Sequence, residues 1–383
     1  MNERRFTVHD SSFSVRHCLL AACFVLGTTA PASSWGAVGL SPPADLPSAE
    51  ALIKAGHWKR ARAQVEPLYK ANPNDAELSY LMSQIDGAFG DLAGARDLAE
   101  KSVALKSGES RYHRQLADVD GETAQTASLF AKGGWAKKFK AEADTAAALD
   151  PRNLDARFDL LEYYLQAPRL MGGGKDKAVA MAEEIARIDS AQGYLAQARL
   201  AQDRKDAVAQ ESWLLKAAAA NSNDHDILMA VANFYLKPPQ PNFPQAEKYA
   251  RRAVAADPGR ADGYALLATS LASQSRWRDL DTVLAQTDAK VSDDRAPYYR
   301  AGVAILSSAK PGEEDLRRAE GYFRKYLDAE PEGGEPPLAA AHWRLGEVLE
   351  KEGRKAEAKS ELETALRLKP DLEGAKKDLK ELE

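Results

Sequence analysis

The chain has 383 residues, 44% of them hydrophobic and 28% charged, with a formal net charge of −5. That length exceeds what one compact core usually covers, so several domains or a repeat array is expected. A mildly acidic chain without a Lys/Arg cluster argues against nucleic acid or an anionic membrane surface as the main partner.

Residues 1–36 read as a secretory signal peptide. Arg4, Arg5 and Arg16 supply positive charge, Cys18–Gly27 is a short apolar run, and small-residue cleavage options follow at Ala30-Pro31-Ala32 and Ser34-Trp35-Gly36. That run is too short to span a membrane, as is every later apolar stretch. The expected location is therefore periplasmic or secreted. Leu20-Ala21-Ala22-Cys23 resembles a bacterial lipoprotein box, which leaves lipid attachment at Cys23 as the alternative. Against it, Phe24-Val25-Leu26 continue the apolar run past the cysteine. Cys18 and Cys23 are the two cysteines, so removal of the leader leaves none for disulfides, thiol catalysis or metal ligation. It also leaves 49 basic and 55 acidic residues, a net charge of −6.

A Pro- and Ala-rich lead-in, 37–47, is expected to be flexible. From 48 to 371 the pattern is a succession of about nine helical hairpins. The first has Gly56 at its turn, Ala61 in its second helix and Pro73 after it; Gly90 and Ala95 repeat two of these landmarks 34 residues later. Residues 110–151 are irregular: a helix over 111–130, then Gly133-Gly134-Trp135 as a break, then a helix ending near Leu149. Hairpin four, 154–189, carries Tyr163-Tyr164-Leu165-Gln166-Ala167-Pro168 and the loop Gly172-Gly173-Gly174. Hairpin five, 191–222, is the most degenerate, with Ala198, Trp213 and Ala217 as landmarks. Hairpin six runs from Phe234-Tyr235-Leu236-Lys237-Pro238 through a Pro-rich loop to Asp257-Pro258. Hairpins seven and eight cover 261–293 and 295–331, and residues 372–383 form a capping helix with Ala375, Leu379 and Leu382 on one side. Hairpins four, six and eight have lengthened loops, at 168–177, 237–245 and 307–315. Stacking places these loops in a row along one edge.

The ninth hairpin, 339–371, is the most regular. Leu345, Gly346 and Leu349 mark its first helix, Gly353 its turn, Ala358, Leu362 and Ala365 its second helix, and Pro370 its end. This resembles the tetratricopeptide repeat (TPR), a helix–turn–helix unit of 34 residues, in its exported bacterial form. The resemblance covers roughly 42–383. It implies an all-α fold, a right-handed α-solenoid of antiparallel hairpins. It also implies a concave groove, lined by the first helix of each hairpin, that binds a protein or peptide partner. Carried over by register, the groove residues are Phe158, Glu162, Gln166, Arg199, Met229, Asn233, Lys237, Tyr299, Trp343 and Glu347. They mix aromatic, amide and both charge signs, without the Lys/Arg cluster that clamps a terminal carboxylate. Aromatics at this spacing also suit the core, and Trp343 can equally seal the last hairpin.

Chemistry of other kinds finds little support. Beyond the leader, the histidines His57, His113, His225 and His342 are scattered, and His225 in Asn-Asp-His-Asp reads as a helix start. Gly172-Gly173-Gly174-Lys175 lacks phosphate-loop spacing, and Asp293-Asp294 and Glu313-Glu314 read as charges at turns and helix starts. Nothing here asks for an enzyme, a metal or a cofactor. A narrower resemblance, over 139–186, is to exported bacterial TPR proteins and, distantly, to TPR subunits of some solute-uptake transporters. It implies a second reading, a small-ligand accessory protein whose aromatics around 158–164 and 229–235 enclose the ligand. The first reading is a non-catalytic scaffold of the bacterial cell envelope.

Overall fold

The computed structural model describes residues 46–237, 239–334 and 336–382. The expected signal peptide, its cleavage sites and Cys23 lie outside them. Nineteen α-helices and no strand form among the described residues. In chain order they are α1 (Leu46–Ala55), α2 (Trp58–Ala71), α3 (Ala76–Ala88), α4 (Leu92–Leu105), α5 (Ser110–Thr126) and α6 (Leu129–Leu149). Next come α7 (Leu154–Gln166), α8 (Lys175–Ile188), α9 (Ser190–Asp203), α10 (Ala207–Ala220), α11 (His225–Leu236) and α12 (Phe243–Ala256). The rest are α13 (Ala261–Ser273), α14 (Trp277–Lys290), α15 (Ala296–Leu306), α16 (Glu313–Leu327), α17 (Leu338–Lys351), α18 (Lys355–Leu368) and α19 (Glu373–Leu382). Consecutive helices pair as antiparallel hairpins, α1/α2 through α17/α18, and α19 packs on the last of them. The fold is an α-solenoid.

Local chemistry explains where the helices begin. Asp75, Asp91, Asn153, Asp189, Asp206, Asp224 and Asn242 each accept the backbone N–H three residues on, satisfying one free amide of the first turn. Five hairpins share one turn. Gly56, Gly90, Lys205, Ser275 and Gly353 each donate to the carbonyl three residues back, and the next residue donates to the carbonyl five back from itself. This pair of bonds closes a helix with one left-handed residue. The φ values are +84°, +84°, +57°, +53° and +79°, so Lys205 and Ser275 occupy a conformation that favours glycine.

One expectation fails. Gly133-Gly134-Trp135 does not break a helix; it lies inside α6, and the chain turns earlier, at Ala127-Ser128. The interior glycines cost about 1 kcal/mol each relative to alanine. Packing offsets that cost: α5 and α6 form the most extensive helix pair of the fold, and the Arg96 guanidinium lies 5.2 Å from the Trp135 ring centroid. The lead-in is also shorter than expected, since α1 starts at Leu46.

Two observations set the curvature. Consecutive first helices (α3 on α5, α5 on α7, α13 on α15) are in contact. Neighbouring second helices reach one another through long side chains, as in Arg318–Asp281 and Arg354–Glu320. The first helices therefore form the inner side. The apolar core divides: one large cluster runs from Ala117 to Ala358, a second belongs to hairpins one and two (Ala49 to Ile85), and a small third joins Leu362, Ala365 and Ala375 under the cap.

Candidate inner-face interaction site

The inner face is a row of charges paired from one first helix to the next. Arg111 of α5 bridges Glu50 of α1 at 2.6 Å and Glu77 of α3 at 2.5 Å. Arg114, one turn on, reaches Asp159 at 3.1 Å and Asp155 at 3.8 Å on α7. Glu162 of α7 takes a two-pronged bond from Arg199 of α9, with Nη2 donating to Oε2 at 2.8 Å. Arg260, just before α13, joins Asp226 of α11 at 2.9 Å to Asp262 at 2.7 Å. His225 Nε2 also lies 2.9 Å from Asp262. Charge-assisted and bidentate pairs of this kind are short and directional, so they hold the face in a defined shape.

Burial and neighbouring charge set the carboxyls apart. Burial pushes Asp159 up to about 7 despite Arg114, and it does the same to Asp294 before α15, also to about 7. Burial works against Asp262 too, but the hydrogen bond with His225 and the Arg260 charge hold it well below the usual carboxylate range. Asp155 is raised by burial, opposed by Arg114 and Lys54 and reinforced by Asp118 and Asp226.

The expected groove residues divide into four groups. Phe158, Met229 and Tyr299 are 5%, 5% and 4% exposed and sit in the main core; Tyr299 packs its ring against Phe323 and Tyr326. Their burial leaves these three little surface to offer a partner, and they serve as core positions. Trp343 closes the C-terminal end, donating Nε1–H to Asp378 of α19 at 2.6 Å, and Glu347 accepts from Arg344 at 2.6 Å. Glu162, Gln166 and Arg199 do come together, Gln166 donating to Glu162 at 3.2 Å. Asn233 is half-buried and Lys237 exposed on and after α11.

Local reading missed Arg111, Arg114, Asp155, Asp159, Asp226 and Arg260. Their signal was the i, i+4 pair Asp155/Asp159, which shares one helix face. The aromatics of the small-ligand reading pack on one another: Tyr163, itself buried, stacks on Phe139 at 6.0 Å and Tyr235 on Tyr249 at 6.1 Å, with Phe139, Tyr235 and Tyr249 within or against the main core. An open cleft of about 400 Å³ lies elsewhere, between Tyr194, Gln197 and Trp213.

The longer connections are folded back on their helices. Between α7 and α8, Tyr163 donates to the Met171 carbonyl at 2.6 Å and the Gly174 amide to the Tyr164 carbonyl at 2.9 Å. Lys175 pairs with Asp203 at 2.7 Å.

Residues 46–110 and 312–373 match a family model described as tetratricopeptide repeat. Among solved structures, a thermophilic TPR protein of Thermus thermophilus is similar at 19% identity and TM-score 0.44, covering 50% of this chain and 97% of that one. Yeast Tom70 is similar at 15% identity and TM-score 0.41, over 88% and 86% of the two chains. YrrB, described as a TPR protein with an unusual peptide-binding site, is similar at 14% identity and TM-score 0.33, over 62% and 97%. No curated protein matches the chain.

Proposed function

With tetratricopeptide repeats at 46–110 and 312–373 as the premise, we propose that the chain is a non-catalytic scaffold whose inner face holds an extended segment or helix of a partner protein. The observation that carries this reading is the ladder of paired charges along successive first helices. Pre-paired side chains lose little further freedom on binding, and a mixed-sign row can register a partner of complementary pattern. The proposed setting is the cell envelope, after export directed by the segment containing Arg4, Arg5, Arg16 and the run Cys18–Gly27. Asp159 and Asp294, the carboxyls raised to about 7, sit on separate elements, and Asp159 is bonded to Arg114; that arrangement suits a structural role better than paired acid–base work.

A photo-crosslinking residue placed at Gln166 or Asn233 is expected to trap a partner from envelope extract. The same residue at Glu183, on the outer helix α8, is expected to trap none. Glu162→Ala/Arg199→Ala should then weaken the trapped complex by about tenfold, since one well-placed contact is worth ~1–2 kcal/mol. Crosslinks confined to Glu183 would remove the inner face from the proposal.

A further inference from the structure

Residues far apart in sequence meet along one seam. The turn of hairpin one sits against the connections that follow α12, α14 and α16, and the turn of hairpin two sits against the last of these. His57 is 6% exposed; its Nδ1 lies 2.8 Å from Asp293 Oδ2 and its Nε2 lies 2.8 Å from the Gly259 carbonyl oxygen. Both neighbours are acceptors, so only the doubly protonated ring donates to both. Beside it, the Lys59 amide donates to Glu332 Oε2 at 2.9 Å, and Lys59 Nζ donates to the carbonyls of Asp293 at 3.0 Å and Glu330 at 2.7 Å. Gly333, at φ +59°, fits under Trp58, where a Cβ would come within 2.9 Å of the indole. The solenoid thus makes one superhelical turn and meets its own edge.

We infer that this seam is a protonation-dependent clasp, with His57 as its pin, that holds the solenoid in a closed coil and releases the first two hairpins when His57 loses its proton. Two features make release inexpensive. The seam is mostly polar, and hairpins one and two keep their own apolar cluster, separate from the main one, so opening exposes little core. The charged groups that act on His57 are Asp293 from the α14–α15 connection, Glu332 from the α16–α17 connection and Arg60 from the first turn of α2; Lys59, beside Arg60, pairs with Glu332 at 3.6 Å, and Asp294 and Arg260 follow Asp293 and Gly259 in the chain. The hydrogen bond to Asp293 is the largest influence and raises His57 above its ordinary 6.5, against burial and Arg60. Its contribution to closure is complete below that ordinary value and is lost as pH rises through the raised one. Burial opposes the charge on Asp293, yet the bond from His57 holds that carboxyl below its ordinary 3.8, so its contribution persists until acid reaches the lowered value. Glu332, raised by burial, adds a preference for the closed form on the acid side. Closure is strongest between the carboxylate range and neutrality. That an open coil admits the partner rests on the function proposed above; the closure does not.

The test uses the full chain with Cys18→Ser and Cys23→Ser, and spin labels at Ala63→Cys on α2 and Asp328→Cys after α16, both exposed positions flanking the seam. Pulsed-EPR distances are expected to show one short population near about pH 6, falling several-fold by about pH 9 as the imidazole deprotonates. His57→Gln should be largely open at both pH values, with its helical circular dichroism intact. Should that variant fail to fold, Asp293→Asn is expected to give the same loss of pH response. A parent distance distribution that does not change with pH, or a pH response that survives in either variant, would overturn the clasp while leaving the partner reading untouched.

Discussion

Phe323→Ala is expected to destabilise the protein by about 3–5 kcal/mol, the cost of removing a buried aromatic ring from a site that cannot collapse. Phe323 is fully buried on α16. Its ring faces the backbone of Gly302 on α15, where an added Cβ would stand 2.7 Å from the ring edge, and it meets Tyr299 edge-on, with centroids 5.7 Å apart at 71°. Two helices held this close have no slack with which to fill the void. Because, apart from the seam with hairpins one and two, hairpin eight contacts only its neighbours in the chain, the loss should be largely local: faster hydrogen exchange across 296–368, with 110–220 nearly unchanged. Urea unfolding followed by circular dichroism should show an earlier transition for that block. Gly302→Ala should act in the opposite sense on the same contact, by overpacking, and cost about 1–3 kcal/mol. A Phe323→Ala shift worth under ~1 kcal/mol would mean that hairpins eight and nine are not held by this contact.

What local sequence carries, and what it does not, is clear at particular residues. Gly56, Gly90 and Gly353 mark their turns because glycine accepts a positive φ at little cost. Lys205 and Ser275 make the same turn without the marker, which is one reason hairpin five looks degenerate. The glycine pair in α6 misleads for the converse reason: a propensity penalty of about 1 kcal/mol per residue is small beside the packing of a long helix pair. At the inner face, sequence register identifies which helix lines the groove but fixes its rotation only to about a residue. Phe158, Met229 and Tyr299 therefore fall in the core, while Glu162, Gln166 and Arg199 meet as a patch. The pairs Arg114–Asp159 and Arg260–Asp226 link different hairpins and depend on the stacking register. The seam joins His57 to Gly259 and Asp293, partners 202 and 236 residues away, and depends on the pitch of the whole coil. No local pattern encodes either.

Arg260→Leu is expected to be as damaging as the loss of Phe323, by a different route. Arg260 is 6% exposed and holds Asp226, itself 7% exposed, together with Asp262, which also lies against His225. Breaking a buried pair by removing one partner leaves an uncompensated charge, at a cost of about 3–5 kcal/mol. The pH dependence separates this cause from a simple cavity. Burial already raises Asp226 even with Arg260 present, so without the guanidinium it should take up a proton more readily, relieving the charge. Asp262 contributes stability that is present above its ordinary 3.8 and lost as pH falls through its depressed value; part of that contribution disappears with Arg260. The Asp226 effect narrows the gap between variant and parent already near about pH 4, and the Asp262 effect adds to it only below 3.8. Urea midpoints at about pH 7 and about pH 4 should show the gap shrinking substantially, and Asp226→Leu/Arg260→Leu should regain part of the stability at neutral pH, since an apolar pair carries no unpaired charge. A gap that is constant with pH, or a double variant no better than the single, would mean that Arg260 acts by filling space between α11 and α13 and not by holding their carboxylates.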